Sequence, residues 1–341
     1  MFRYLVTLSP LGLLYGSAGG FLSPENLVGR SQAKFPPDAG TFSGLLLNAA
    51  QSIGQTISKK QLTVAGPFWT HENMISARDF FVPLPWTKIL AKTKFDEWTF
   101  DAQKEAWQLK HQANTEPEYR WVCLSRWGHT VQQLHQHVQS SVKTIEVSGD
   151  PWTFEPMLHP YMKEQERCVK DEDGLFLEQA VRMEDDTRLV YLSTEPIADG
   201  WYKFGGENHL VEVECLAINQ THSINQQLSQ PIGQSFALIT PAVWGSNRRS
   251  LRHPEGLGVK ALLTDKPTTF RFRSGGQQQD PNRPKNRSGR LGRGRYAVKA
   301  GSVYVLEEAR DDNWWDWESW FPTEGFSLQR LGCGLALPIA V

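Results

Sequence analysis

Phe2, Tyr4, Val6 and Leu8 alternate with Arg3, Leu5 and Thr7. This is the period-two pattern of a strand, and Pro10 with Gly12 breaks the run before it reaches helix length. Arg3 ahead of Leu-rich sequence and Gly16-Ser17-Ala18 has the outline of a secretion signal, but the alternation and the early breakers make it a first β-strand instead. The stretch from Ser9 to Asp38 holds Gly12, Gly16, Gly19, Gly20, Gly29 and four prolines, and it reads as a long loop. Phe42, Leu45, Leu46, Ala49, Ile53 and Ile57 then recur at the spacing of an amphipathic helix, which predicts a helix over Thr41 to Ile57 capped by Thr41.

Leu62 to Ala65 and Asp79 to Leu84 are strand-like and are bounded by Gly66-Pro67 and Pro83-Leu84-Pro85. Between Lys92 and Gln139 the chain turns polar and helix-compatible around Trp98, Phe100, Trp107 and Trp121, and reads as an insertion. The β pattern returns from Leu175. Arg182 to Asp186 is a charged turn, Thr187 to Ser193 alternates, and Trp201 to Phe204 ends at Gly205-Gly206. His209 to Leu216 and Phe236 to Ile239 are further strands, joined by a Gln-, Asn- and Ser-rich connection over 217–235. A chain of 341 residues has room for two domains, expected at 1–194, with the insertion at about 92–139, and at 195–341.

Composition excludes global disorder and a coiled coil, with 40% hydrophobic residues, 13 Trp and 17 Phe. The net charge of −1 carries no argument for nucleic acid, so that case rests on where the charges sit. Cys123, Cys168, Cys215 and Cys333 form no CxxC pair. Neither a zinc site nor a disulfide framework is expected from them, and a reducing cytoplasm fits. No run of eighteen apolar residues predicts a membrane span.

Residues 271–299 hold nine Lys or Arg against one acid, Asp280, with five glycines and two prolines, a flexible basic loop. Arg271, Arg273, Arg283, Lys285, Arg287, Arg290, Arg293, Arg295 and Lys299 offer cations that fit phosphate, and the competing reading is a solvated surface loop. Residues 307–324 reverse the bias, with seven Asp or Glu around Trp314, Trp315 and Trp317. That acidic aromatic segment reads as a hairpin or loop that meets a protein partner or enters the core, since its charge would repel phosphate. Gly205-Gly206, Gly275-Gly276 and the pair Gly332 and Gly334 punctuate strand ends, where glycine admits a tight turn or the close approach of another backbone. His135 and His137 have no carboxylate or cysteine at metal-ligand spacing, and no HExxH, GxSxG or Walker-type motif is present. No catalytic residue, metal or cofactor is therefore expected.

Several segments, in order, resemble the Cmr-type (type III-B) CRISPR effector subunit three of the RAMP superfamily. They are Ser9-Pro10-Leu11, Phe35-Pro36-Pro37, Gly40 to Leu46, Phe204 to Glu214, Ala297 to Glu307, and Glu324-Gly325-Phe326 through Arg330 to Leu335. The insertion and the Trp-rich segment depart from the family's compact pattern. The resemblance implies an α+β fold of tandem ferredoxin-like (RRM-like) domains with glycine-rich loops. It also implies a non-catalytic role in which the subunit grips the 5′ tag of the guide RNA beside a large polymerase-like subunit and the backbone subunits. The RNA-binding groups expected on that basis are Arg30, Lys34, Gly205, Gly206, the basic loop, Arg330, Gly332 and Gly334. A guide-processing ribonuclease of the same superfamily is the alternative, with His209 as the histidine nearest the expected RNA-binding sequence. A Trp-rich carbohydrate-binding module fits the basic loop poorly.

Overall fold

The computed structural model describes residues 1–15, 35–58, 60–111, 115–139, 145–163, 168–170, 174–206, 208–274 and 290–341. The first strand, Tyr4–Pro10 (β1), joins Val64–His71 (β2), Phe81–Pro83 (β3), Trp121–Cys123 (β4), Val147–Ser148 (β5), Thr187–Ser193 (β6), Gly200–Phe204 (β7) and His209–Ala217 (β8). Among the described residues these make one antiparallel sheet in the order β7-β8-β1-β6-β2-β3-β4-β5. Alternation in β1 predicts one buried face, yet Leu5 and Val6, on opposite faces, are both buried. The sheet is covered on both sides there.

The expected helix runs over Ala39–Ser52 and buries Ala39, Phe42, Leu45, Leu46 and Ala50. It starts earlier than the pattern predicts because Asp38, extended after two prolines, takes the position before its first turn, with no side-chain cap. It stops at Ile53 and Gly54, whose φ is +74°. Phe42 stacks on Tyr191 of β6 at 4.6 Å, and the Tyr191 hydroxyl donates to the Pro37 carbonyl oxygen. Opposite them Pro67 has no N–H to give the ladder, and the β2–β6 register shifts between Val190 and Leu192.

A second sheet holds Gly233–Leu238 (β9), Val259–Leu263 (β10), Val303–Arg310 (β11) and Ala336–Pro338 (β12) in the order β10-β11-β9-β12. Phe236 stacks on Tyr304 at 4.8 Å. The buried Tyr304 hydroxyl accepts from Trp244 Nε1 at 2.9 Å and donates to the Arg252 carbonyl at 2.7 Å. The fold is α+β with antiparallel sheets.

Three expectations change. Residues 200–217, expected in the second domain, supply β7 and β8 to the first sheet, so sheet continuity runs past 194 to Ala217. The insertion is largely β rather than helical: Phe95–Asp101 pairs with Ala106–Leu109, and Trp121–Cys123 enters the main sheet, leaving Val131–Gln139 as its helix. Asp101 sets the turn by accepting from the backbone N–H groups of Gln103 and Lys104, and strand pairing overrides the helix preference of the Lys, Glu and Gln residues. The Trp-rich acidic segment is a 3₁₀ helix, Trp314–Trp320, with Trp314 and Trp317 fully buried. Two of its acids serve an indole and the cap: Trp317 Nε1 donates to Asp312 at 3.0 Å, and Asp316 closes a capping box with Asn313. A hairpin, Trp152–Pro160 with Leu175–Met183, stands beside the sheet with Phe154 and Leu158 exposed. No helix among the described residues is long and apolar enough to cross a membrane.

The two sheets meet at Gly332. This residue ends the 3₁₀ turn Leu328–Leu331 at φ 66°, and an added Cβ would stand 2.5 Å from Ala65 Cα and 2.7 Å from the Val64 carbonyl oxygen. Gly332→Ala is therefore expected to lower stability by at least the roughly 1–3 kcal/mol of the backbone strain. Gly206→Ala, whose Cβ would meet nothing within 4 Å, should stay within about 0.5 kcal/mol of the parent. Urea denaturation midpoints of the two variants test this, and equal midpoints would remove Gly332 from the joint.

Candidate nucleic-acid interface

The basic segment folds back on itself as an arm. Thr268–Phe270 pairs with Arg295–Ala297, and Arg273–Ser274 pairs with Arg290–Leu291. The register slips by one residue between the two ladders, and there Gly292 N–H donates to the Phe272 carbonyl at 2.8 Å. Gly292 allows this approach: a Cβ would come within 3.0 Å of that same oxygen. Arg273 and Arg290 stand in the backbone ladder of the stem. Arg283, Lys285 and Arg287 belong to 275–289, which lies outside the described residues, as do Arg30 and Lys34.

The described cations of the arm divide into two kinds. Arg271 is exposed, and its Nε donates to the Gly292 carbonyl at 2.8 Å. Arg293 is also exposed and donates to the Asn247 carbonyl. Arg295, by contrast, is buried at 6% exposure and paired with Glu324, with a further bond to Asn247 Oδ1 at 3.1 Å. Its charge is spent inside the protein, which corrects its expected place among the phosphate ligands. Lys299 is held by Asp265 at 2.6 Å, and this bond keeps the Asp265 carboxyl below its ordinary range.

Tertiary structure adds residues that the segment-by-segment reading passed over. Trp244–Gly245 pairs with Ser250–Leu251, and the turn between them presents Arg248 and Arg249, both exposed. Tyr296 N–H donates to Ser250 Oγ at 3.3 Å, which ties this turn to the arm, and the Tyr296 side chain is 61% exposed. Among the described residues no carboxylate pairs with Arg248, Arg249, Arg271 or Arg293. The signal was in the sequence: Arg248, Arg249 and Arg252 fall within five residues, with no acid between Val243 and Pro254.

The other expected groups lie elsewhere on the frame. Phe272, at the base of the arm, packs near Gly40 at the start of the helix and against Phe326, and Leu331 lies beside the same glycine. The arm and the joint are thus neighbours. Arg330 lines a cleft of about 940 Å³ with Arg3, Thr63 and Trp315, donates to Thr63 Oγ1 at 3.1 Å, and pairs with Glu318 at 3.5 Å. Gly332 and Gly334 face inward: the space of their missing Cβ atoms is taken by Ala65 and by Phe321 with Trp244. This corrects the expectation that their close backbone approach serves RNA, since protein backbone and aromatic rings fill it. Gly205 and Gly206 form the exposed turn between β7 and β8, with Gly205 at φ 75°. His209 opens β8 opposite Phe204.

Exposed guanidinium groups on a β-hairpin beside an exposed tyrosine can hold phosphates and stack a base. The described residues of the arm bring no three metal-ligating side chains together; the group that does so, His129, His137 and Glu146, lies where the end of the insertion meets the strand Val147–Ser148.

The family model described as CRISPR-associated protein (Cas_Cmr3) matches residues 20–340. No curated protein matches the chain in sequence. Among solved structures, a chain of the Type III-B Cmr-beta bound to cognate target RNA is similar at 12% identity and TM-score 0.44, covering 88% of this chain and 86% of that one. A chain of the Csm3-Csm4 subcomplex in the type III-A CRISPR-Cas interference complex is similar at 10% identity and TM-score 0.40, covering 90% and 94%. A chain of the Csm1-Csm4 cassette in complex with pppApA is similar at 10% identity and TM-score 0.33, covering 90% and 89%.

The split among the arginines makes a two-sided prediction. Arg295→Ala leaves Glu324 without its partner and is expected to cost on the order of 2–4 kcal/mol, read by urea denaturation. Arg248→Ala with Arg249→Ala should leave the denaturation midpoint within about 0.5 kcal/mol of the parent. A silent Arg295→Ala would show that the buried pair does not hold the arm.

Proposed function

We propose that this chain, which belongs to the CRISPR-associated Cas_Cmr3 family, is a non-catalytic subunit of a type III effector complex that grips the 5′ tag of the guide RNA. The observation that carries this reading is the arm: Arg271 and Arg293 on its stem and Arg248 and Arg249 on the adjoining turn, exposed and unopposed by carboxylates among the described residues. Guanidinium forks track the phosphates, and Tyr296 offers a stacking face for an unpaired base. Arg283, Lys285 and Arg287 extend the same charge along the sequence. Arg30, Lys34 and Arg330, with the open turn Gly205-Gly206, complete the proposed path.

On this reading the sheets form tandem ferredoxin-like halves of the RAMP kind. The near-neutral charge suits a subunit whose other faces meet proteins, namely the large polymerase-like subunit and the repeated backbone subunits, in the cytoplasm.

The test is co-purification of the tagged chain from its host, with sequencing of the bound RNA and identification of the bound proteins. Short RNAs sharing a repeat-derived 5′ end, arriving with a large polymerase-like subunit, are the expected result; a chain that arrives without RNA refutes the reading. In vitro, Ala at Arg248, Arg249, Arg271 and Arg293 together should weaken binding of a tag-containing RNA and lower the log–log salt slope by roughly 0.7 per lost phosphate contact. An unchanged slope would take these four arginines out of the interface.

A further inference from the structure

We propose that His129, His137 and Glu146 form a three-ligand site for a divalent transition metal, zinc by its donor set, that clips the helix Val131–Gln139 to the edge strand of the main sheet. Sequence spacing hides the group, because its members come from a turn, a helix and a strand end. His129 follows the 3₁₀ turn Leu124–Arg126, His137 lies eight residues on in the last turn of the helix, and Glu146 immediately precedes β5. Glu146 is anchored by its backbone: its carbonyl accepts from Cys123 N–H of β4 at 2.8 Å. The carboxylate is therefore held at the sheet edge, and the two imidazoles are brought to it by the helix and the turn before it.

Geometry and solvation both point to a cation. One donor atom from each residue lies within 4.8 Å of the other two. His137 Nε2 and Glu146 Oε2 are 3.4 Å apart, close to the roughly 3.3 Å between ligands of a tetrahedral zinc with bonds near 2.0–2.1 Å. The imidazole rings of His129 and His137 are 6.2 Å apart and inclined by 26°. The Glu146 side chain is only 4% exposed, yet neither of its oxygens accepts a hydrogen bond. Arg126 Nε comes within 2.9 Å of Oε1 and His137 within 3.4 Å of Oε2 as ion-pair approaches, without hydrogen-bond alignment. His129 Nδ1 is likewise buried without a hydrogen-bond partner. A buried carboxylate whose ion-pair contacts lack hydrogen-bond alignment, beside a buried ring nitrogen without a hydrogen bond, is a costly arrangement that a metal ion bound between them would relieve.

The nearby positive charges can accommodate the metal. Lys88 Nζ is committed to the carbonyl oxygens of Trp127 and His129 at 3.2 and 2.6 Å. The Arg126 side chain is 40% exposed and can turn to water when a dication replaces it at Glu146. Two neutral imidazoles and one carboxylate leave a fourth position for water, and the site then joins the insertion to the sheet through coordinate bonds.

The untagged chain, stripped with a chelator and dialysed, is titrated with zinc chloride and separately with cobalt chloride. The expected result is one equivalent of metal per chain, with a tetrahedral cobalt spectrum and a raised melting temperature. His137→Ala, half-exposed on the helix, should weaken zinc binding by 100-fold or more, since loss of even an outer-shell partner costs about 10–100-fold. Circular dichroism confirms that this variant is folded, and Glu146→Gln provides the second test. A folded wild-type chain that takes up no metal, or one equivalent retained unchanged by His137→Ala, overturns the proposal in favour of a plain His–Glu–Arg ion-pair network.

Discussion

The placement of β1 between β6 and β8 is the constraint on which the rest of the molecule depends. Tyr4 pairs with Ser193 on one side and with Ala217 on the other, so a strand at the start of the chain is closed only by segments some two hundred residues later. Such pairings carry a loop-closure cost that the burial of Leu5, Val6 and Leu8 on both faces helps to offset. Once they form, β6 presents Tyr191 to the helix Ala39–Ser52, and the helix start is set beside Phe272 and Leu331. The arm and the joint are positioned by this same helix.

Large aromatics fill the interior, and several of their polar ends are given partners, while the indole N–H groups of Trp69, Trp107 and Trp315 are buried without a hydrogen bond. Trp244, Tyr304 and the Arg252 carbonyl form a chain of bonds inside the second sheet, and Trp314 Nε1 donates to the Cys333 carbonyl at 3.1 Å. The rule explains a sequence feature that looks like a surface. Acids cluster around Trp314, Trp315 and Trp317 because a buried indole N–H and a helix start both need acceptors, which Asp312, Asp316 and Asn313 supply. Charge next to tryptophan is here a means of burying the ring.

Charge density in the sequence likewise describes opportunity and not use. Arg293 and Arg295 are two residues apart, one in the irregular stretch before the strand Arg295–Ala297 and the other opening it, yet the first is exposed and the second is buried on Glu324. The partner comes from a turn near the C-terminus, invisible to any local count. The cluster of His129, His137 and Glu146 makes the same point: spacing in the chain says nothing about donors gathered from three elements.

The sequence by itself determined much of the frame. Alternation marked β1 and β6, the latter to its end residues, and apolar spacing marked the helix through Phe42, Leu45 and Leu46. The glycine-punctuated segments were enough to reach the family that the match over residues 20–340 establishes. These are local properties, or properties of segment order, and periodicity or resemblance carries them. Only the tertiary structure decided that 95–109 is a hairpin, that β7 and β8 complete the first sheet, and that Gly332 packs on Ala65. It alone separated the buried Arg295 from the exposed Arg271 and brought Arg248, Arg249 and Tyr296 to the arm. Each of those outcomes depends on a partner distant in sequence, and burial and pairing are set by that partner.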